Sequence, residues 1–232
     1  MPAVFRVALG RTNRCAARVT VVTMANPADH WTREPAGLGE PAEYRRCHGS
    51  LEAIADSERR ALRSIGAPAR EVAAWTGVLL AELLAVPGVR IFQGVQASAG
   101  ESPRIPHAVS AGRRLILVES VAWPAGRYVT MGDGRVHCDG VYIGQSARPL
   151  AAAVRHWREA LPAGHRVSAV VVVHLAGEGG LALPPAAGRD LAWARATEAV
   201  CCIRAELPGR RQAVSMRAVA ALVAATAGEE DR

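Results

Sequence analysis

The chain contains no lysine, so all 28 of its Lys or Arg positions are arginine. That absence excludes Schiff-base chemistry, a phosphate-loop lysine and the catalytic lysine of a metal nuclease. Arginine does not replace lysine as a proton carrier, because its pKa stays above about 12. Also absent is any unbroken apolar run of about 18 residues, so no membrane partner is expected. The longest strand-like apolar stretch, VSAVVVVHLA from Val167, is short and β-branched and fits a central strand. Five cysteines, at 15, 47, 138, 201 and 202, form no Cys-x-x-Cys pair, and an odd number argues against a disulfide framework. A reduced, cytoplasmic setting is the expectation. Residues 1–23 hold Arg6, Arg11, Arg14 and Arg18 and no acid, so the net charge of +7 falls to +3 without them. The basic signal of the remainder is therefore weak as a nucleic-acid footprint.

At 232 residues, half of them hydrophobic, the chain suits one well-buried domain with additional segments. Residues 1–49 read as an irregular arm rich in Pro, Gly and charge, with 1–23 as an extension and Met24 as the natural start. A single α/β domain is expected over 50–228, with 229–232 as a frayed tail. Within it, Ser50 is positioned to cap a helix through LEAIADSERRALRSI, whose Leu51, Ile54, Leu62 and Ile65 follow helical spacing. A second, more apolar helix is predicted from about Arg70 to Val86, before Pro87-Gly88 stops it.

Strands follow in close succession: VRIFQGV from Val89, IPHAVSA from Ile105 and RRLILVES from Arg113, the last two joined at Ala111-Gly112. A further hairpin, RYVTM and RVHCDG, flanks Gly132-Asp133-Gly134. Leu150, Val154, Trp157 and Leu161 then lie on one face of a helix over 146–161. The strand from Val167 follows, then a turn at GEGG, a helix near 189–196, a short strand near 199–203 and a final helix over about 211–227. The order describes one α/β domain with a mixed sheet covered on both faces.

Between about Arg70 and Leu175 this order, with specific residues, resembles the nuclease-related domain family of the restriction-endonuclease-like fold. VRIFQGV is similar to the first core strand of that family, and IPHAVSAGRRLILVES to its pattern of Asp-His, apolar residues, Gly, apolar residues, then acid-x-Lys. VAWPAGRY, with Trp123, then a hairpin, Gln145 and a helix, is similar to its continuation. The resemblance implies a three-layer α/β core, a mixed central sheet flanked by helices. It also implies two carboxylates converging on a divalent cation, and a lysine that positions the attacking water.

Carried onto this sequence, the implied catalytic set is incomplete. Glu119 takes the second acidic position and His107 the histidine, while Pro106 stands in place of the first acid and Val121 in place of the lysine. Glu82 is the nearest acid to a helical glutamate of the family, and Glu101 and Asp139 are candidate replacement ligands. One carboxylate is a poor Mg2+ site, and loss of a preorganised donor costs on the order of 10²-fold or more in rate.

Bland readings stand beside these. Glu119 also fits a solvent-facing strand end, and His107 a hydrogen-bonded core histidine. His137, Cys138 and Asp139 are adjacent, but successive strand residues point to opposite faces, which opposes a soft-metal site. Cys201-Cys202 read as small hydrophobes. Arg113, Arg114, Arg127 and Arg135 lie around the two hairpins, where they either contact nucleic-acid phosphates or are solvated.

Three functions follow as expectations. The preferred one is a catalytically inactive nuclease-related domain that keeps a nucleic-acid or protein contact surface. A DNA nuclease with displaced ligands, which would need Mg2+ or Mn2+, is the second. An unrelated α/β interaction protein is the third. Otherwise no cofactor is expected, DNA is at most a weak partner, and the oligomeric state is left open.

Overall fold

β-Branched and leucine-rich runs with short turns between them build a six-stranded mixed sheet in the computed structural model, which describes residues 46–52, 54, 62–98, 103–185, 190–208 and 215–226. Its strands are β1 (Cys47–Gly49), β2 (Val89–Gln96), β3 (Arg104–Ala111), β4 (Arg114–Trp123), β8 (Arg166–Leu175) and β10 (Leu191–Arg195), and they lie side by side in that order. β2, β3 and β4 form an antiparallel meander. Its β3–β4 connection turns at Gly112, φ 57°, as the Ala111-Gly112 reading anticipates. β8 returns parallel to β4, and β10 parallel to β8.

A smaller sheet, with order β7-β6-β5-β9, takes three strands from the insertion between β4 and the returning strand and its fourth from the chain after that strand. It comprises β5 (Gly126–Thr130), β6 (Arg135–Cys138), β7 (Val141–Ser146) and β9 (Leu181–Ala182). Strand β7 was not anticipated. Asp139-Gly140, with φ angles of 49° and 86°, makes the two-residue turn that sends the chain back along β6.

Helices cover both faces of the main sheet. Alternation along β4 sends Leu115, Leu117, Val121 and Trp123 to one side. There they pack with α2 (Arg148–Ala160), through Leu150, Val154 and Trp157, and with α4 (Met216–Thr226), through Val219 and Leu222. Ile116 and Val118 go to the other side, where Leu80 of α1 (Ala69–Ala81), Leu83 of the 3-10 turn Glu82–Ala85, and Ile203 of α3 (Ala196–Glu206) meet them.

Three expectations are corrected. Ser50 caps a turn, not a helix: its Oγ accepts from Glu52 N at 3.2 Å, Ile54 N donates to Leu51 O at 3.0 Å, and residues 62–68 are non-helical. Residues 53 and 55–61 of that segment lie outside the described residues. The arm does not end at 49, because Cys47–Gly49 is an edge strand parallel to β2. Residues 191–195 are a strand and 196–206 a helix, the reverse of the prediction, because the extended LAWAR segment completes the parallel ladder on β8. The final helix is as expected over Met216–Thr226; the predicted tail lies outside the described residues.

Candidate functional site

β3 and β4 part company where the resemblance places its chemistry. Their ladder runs from Ala111↔Arg114 to His107↔Val118 and stops, although β3 begins at Arg104 and β4 continues to Trp123. The next residue on β3 is Pro106, which has no N–H to donate. The next on β4 is Glu119. β8 stays paired along the whole of β4, so only one edge of β4 opens.

Residues 63–65 take up that edge. Ala122 N donates to Ser64 Oγ at 3.0 Å and Ile65 N donates to Ala122 O at 2.7 Å. Trp123 and Gln145 hold the segment there by its Arg63 peptide groups: Trp123 Nε1 donates to Arg63 O at 3.1 Å, and Gln145 Oε1 accepts from Arg63 N at 2.9 Å. Both side chains are buried, and Trp123 also stacks on Tyr128 with ring centroids 4.5 Å apart. Gln145 lies in β7 rather than at the start of α2. These two residues act as a clamp on the chain.

Glu119 is half-buried, and its Oε1 accepts from Ser120 N at 3.0 Å. It borders a cavity of about 30 Å³ with Leu62, Arg104, Ile105, Leu150 and Ala153, room on the scale of a single water. The Arg104 Nη1 donates to Gly94 O at 2.6 Å and Ala225 O at 3.2 Å. Val121, two residues on, is fully buried in the apolar cluster beneath α2.

Of the other candidate ligands, Glu82 and Asp139 do not join Glu119. Glu82 is exposed on the 3-10 turn, whose Leu83 packs on the opposite face of the sheet. Asp139 belongs to the small sheet, where Oδ1 accepts from Arg127 N at 3.0 Å and fixes the turn. Glu101 lies outside the described residues. His137 Nδ1 is 3.3 Å from Gly140 O and Cys138 Sγ donates to Asp139 Oδ2 at 3.6 Å, so these neighbours serve their own hairpin. Among the described residues no three His, Cys, Asp or Glu side chains group as a metal site.

His107 lies on the α1 side of the sheet, paired in register with Gln93 and Val118. It is fully buried, and neither ring nitrogen has a hydrogen-bond partner among the described residues, contrary to the expected hydrogen-bonded core histidine. Desolvation therefore lowers its pKa to about 3. His174 of β8 faces the same helix; its Nε2 is 2.8 Å from Thr76 Oγ1, and burial lowers its pKa to about 4. Both imidazoles are neutral at pH 7, so neither supplies a cation to an anionic substrate.

The four hairpin arginines do not share a surface. Arg113 and Arg114 stand at the start of β4, and Arg127 and Arg135 beyond its end, with roughly 30 Å of strand between. Arg113, Arg114 and Arg166 line a cleft of about 410 Å³ together with Glu206 and the C-terminal end of α3, and the negative end of a helix favours such cations without any ligand. Arg135 pairs with Asp133 at 3.2 Å and lies over the Tyr142 ring, 5.5 Å from its centroid.

Sequence reasoning missed a different arginine stripe, on α2. Arg148, Arg155 and Arg158 recur at helical spacing and line a cleft of about 620 Å³ with the β5–β6 turn. Their spacing of seven and three is readable from the sequence. No helix of the described residues is long and apolar enough to cross a membrane. No family model matches the chain, and neither does any curated protein or solved structure.

Proposed function

We propose that this is a nuclease-related domain of the restriction-endonuclease-like class that has lost catalysis. A helix, an antiparallel meander and a helical crossover to a strand parallel with the third meander strand support the core. The observation that carries the loss is the opening between β3 and β4. Among the described residues it holds one half-buried carboxylate, Glu119, against a ligandless Pro106 and a Val121 sealed in apolar packing. A divalent cation needs several oxygen ligands; Glu119 also serves the Ser120 amide, and the space beside it is about 30 Å³. Phosphodiester hydrolysis would further need a group to position water, and an aliphatic side chain cannot supply one.

The test is cleavage of supercoiled plasmid and of single-stranded DNA by the purified full chain with Mg2+ or Mn2+. No cleavage above a metal-free control is expected. Metal-dependent cleavage that disappears in Glu119→Ala would overturn the reading and point to a rearranged site.

A further inference from the structure

On the far side of α2 from Glu119, Arg148, Ala151, Val154, Arg155 and Arg158 form one wall of the 620 Å³ cleft, opposite the turn Met131–Gly134 and Leu191. Two acids reach this space, and each has its own arginine. Asp190 pairs with Arg158 at 2.9 Å, and Asp133 pairs with Arg135 at 3.2 Å. Arg148 and Arg155 make no side-chain hydrogen bond or ion pair among the described residues, and both are exposed. They lie two helical turns apart on one face.

The placement of Arg148 is electrostatically unfavourable for the isolated protein. Arg148 is the first residue of α2, and the first turn contains no acid; the positive end of a helix disfavours a cation there. Gly134, φ 81°, leaves no Cβ to push Arg148 aside: one built there would come within 2.8 Å of the Arg148 Cγ. The turn therefore seats the stem of Arg148 at the cleft mouth. Two guanidiniums without an ion-pair partner among the described residues match the charge of a phosphate monoester, close to −2 at neutral pH. Val154, Ala151, Leu191 and an exposed Met131 give the walls apolar surface, beside Thr130 and the two paired acids. The volume falls within the range of small-molecule sites, about 300–1,000 Å³.

We infer that this cleft binds a phosphate monoester carried on an apolar or aromatic body, the phosphate held by Arg148 and Arg155 and the body lying against Met131 and Ala151. The inference is independent of the nuclease reading, because the cavity beside Glu119 uses Pro149, Leu150 and Ala153 on another side of the helix.

Calorimetric titration of the full chain with adenosine 5′-monophosphate tests it, with adenosine as the uncharged arm. Saturable binding on the order of 10⁻⁵–10⁻⁴ M is expected for the monophosphate, and binding at least about tenfold weaker for adenosine. Arg148→Gln and Arg155→Gln should each weaken the monophosphate about tenfold. Both sites are exposed, so an unchanged thermal midpoint establishes that the variants fold. Two further arms, a single-stranded oligonucleotide with and without a 5′-phosphate, separate the sources. Preference for the phosphorylated strand assigns the site to nucleic-acid ends, and its absence to free mononucleotides. No saturable monophosphate binding, or full binding in the double variant, overturns the site.

Discussion

Replacing His107 by Leu should stabilise the protein at pH 7 and blunt its loss of stability in acid. The imidazole is fully buried on β3 between Gln93 and Val118, with both nitrogens unpartnered among the described residues. An unsatisfied buried polar group costs about 1–3 kcal/mol. Leu is close to His in volume, so the variant should gain about 1–2 kcal/mol at pH 7. The acid arm follows from proton linkage. In the unfolded chain the imidazole titrates near 6.5, whereas in the fold burial holds it to about 3. Below pH 6.5 the unfolded state therefore binds the extra proton, and stability falls with pH until the folded pKa is reached. By about pH 4.5 His107 should cost about 2.5 kcal/mol, and His174, with its pKa of about 4, a similar amount. Urea unfolding of both proteins at pH 7 and about pH 4.5 measures this directly. Carboxylate contributions are common to the two and cancel in the difference. A wild-type-to-variant gap that is the same at both pH values, or a variant less stable than wild type at pH 7, would refute the picture of a desolvated, unpaired ring.

Two perturbations probe the clamp and the opened strand edge. Val121→Lys, at a position with no solvent exposure, should destabilise the fold by at least about 3 kcal/mol in chemical denaturation. A neutral effect would mean that the side chain reaches water beside Glu119. Trp123→Phe removes the bond to Arg63 O but keeps a ring against Tyr128, so a loss of about 1–2 kcal/mol is expected. Trp123→Ala, which also empties a core position, should cost about 3–5 kcal/mol. If the two losses were equal, the hydrogen bond and not the packing would be what Trp123 supplies.

The meander and the α2 crossover were legible because their signals are local. Val89–Gln96 and Arg104–Ala111 are rich in apolar residues, Gly112 marks the turn, and Leu150, Val154 and Trp157 repeat at helical spacing. The exchange of strand and helix after residue 190 was not legible in the same way. Leu191, Ala192 and Ala194 have high helix propensity, and Val200, Cys201, Cys202 and Ile203 have low. What decides is non-local: Leu191–Arg195 pairs residue by residue with Ala169–Val173, while Ala199 and Ile203, four apart, reach the core together. The turn that creates β7 was readable as Asp139-Gly140, a strong hairpin signal, but was absorbed into the preceding strand segment. At the candidate site, sequence located Glu119, Trp123 and Gln145 but not their work. That Trp123 and Gln145 grip the carbonyl and the amide of Arg63 depends on contacts spanning 60 and 82 residues.

The edge formed by β1 carries a consequence for any shortened version of this protein. Arg46 O accepts from Ile91 N at 2.8 Å, and the Arg46 guanidinium reaches Val86 O at 2.7 Å. Gly49, φ 76°, sits so close to the Gln93 carbonyl and Thr226 that a methyl group would collide with both. Three residues and one glycine thus shield the outer row of amides and carbonyls on β2, a strand that is buried from Ile91 to Val95. Trimming to Ser50, at the apparent compositional boundary, would bare that row as an adhesive template for a like strand of a neighbouring molecule. The expected product is self-assembly rather than a smaller monomer.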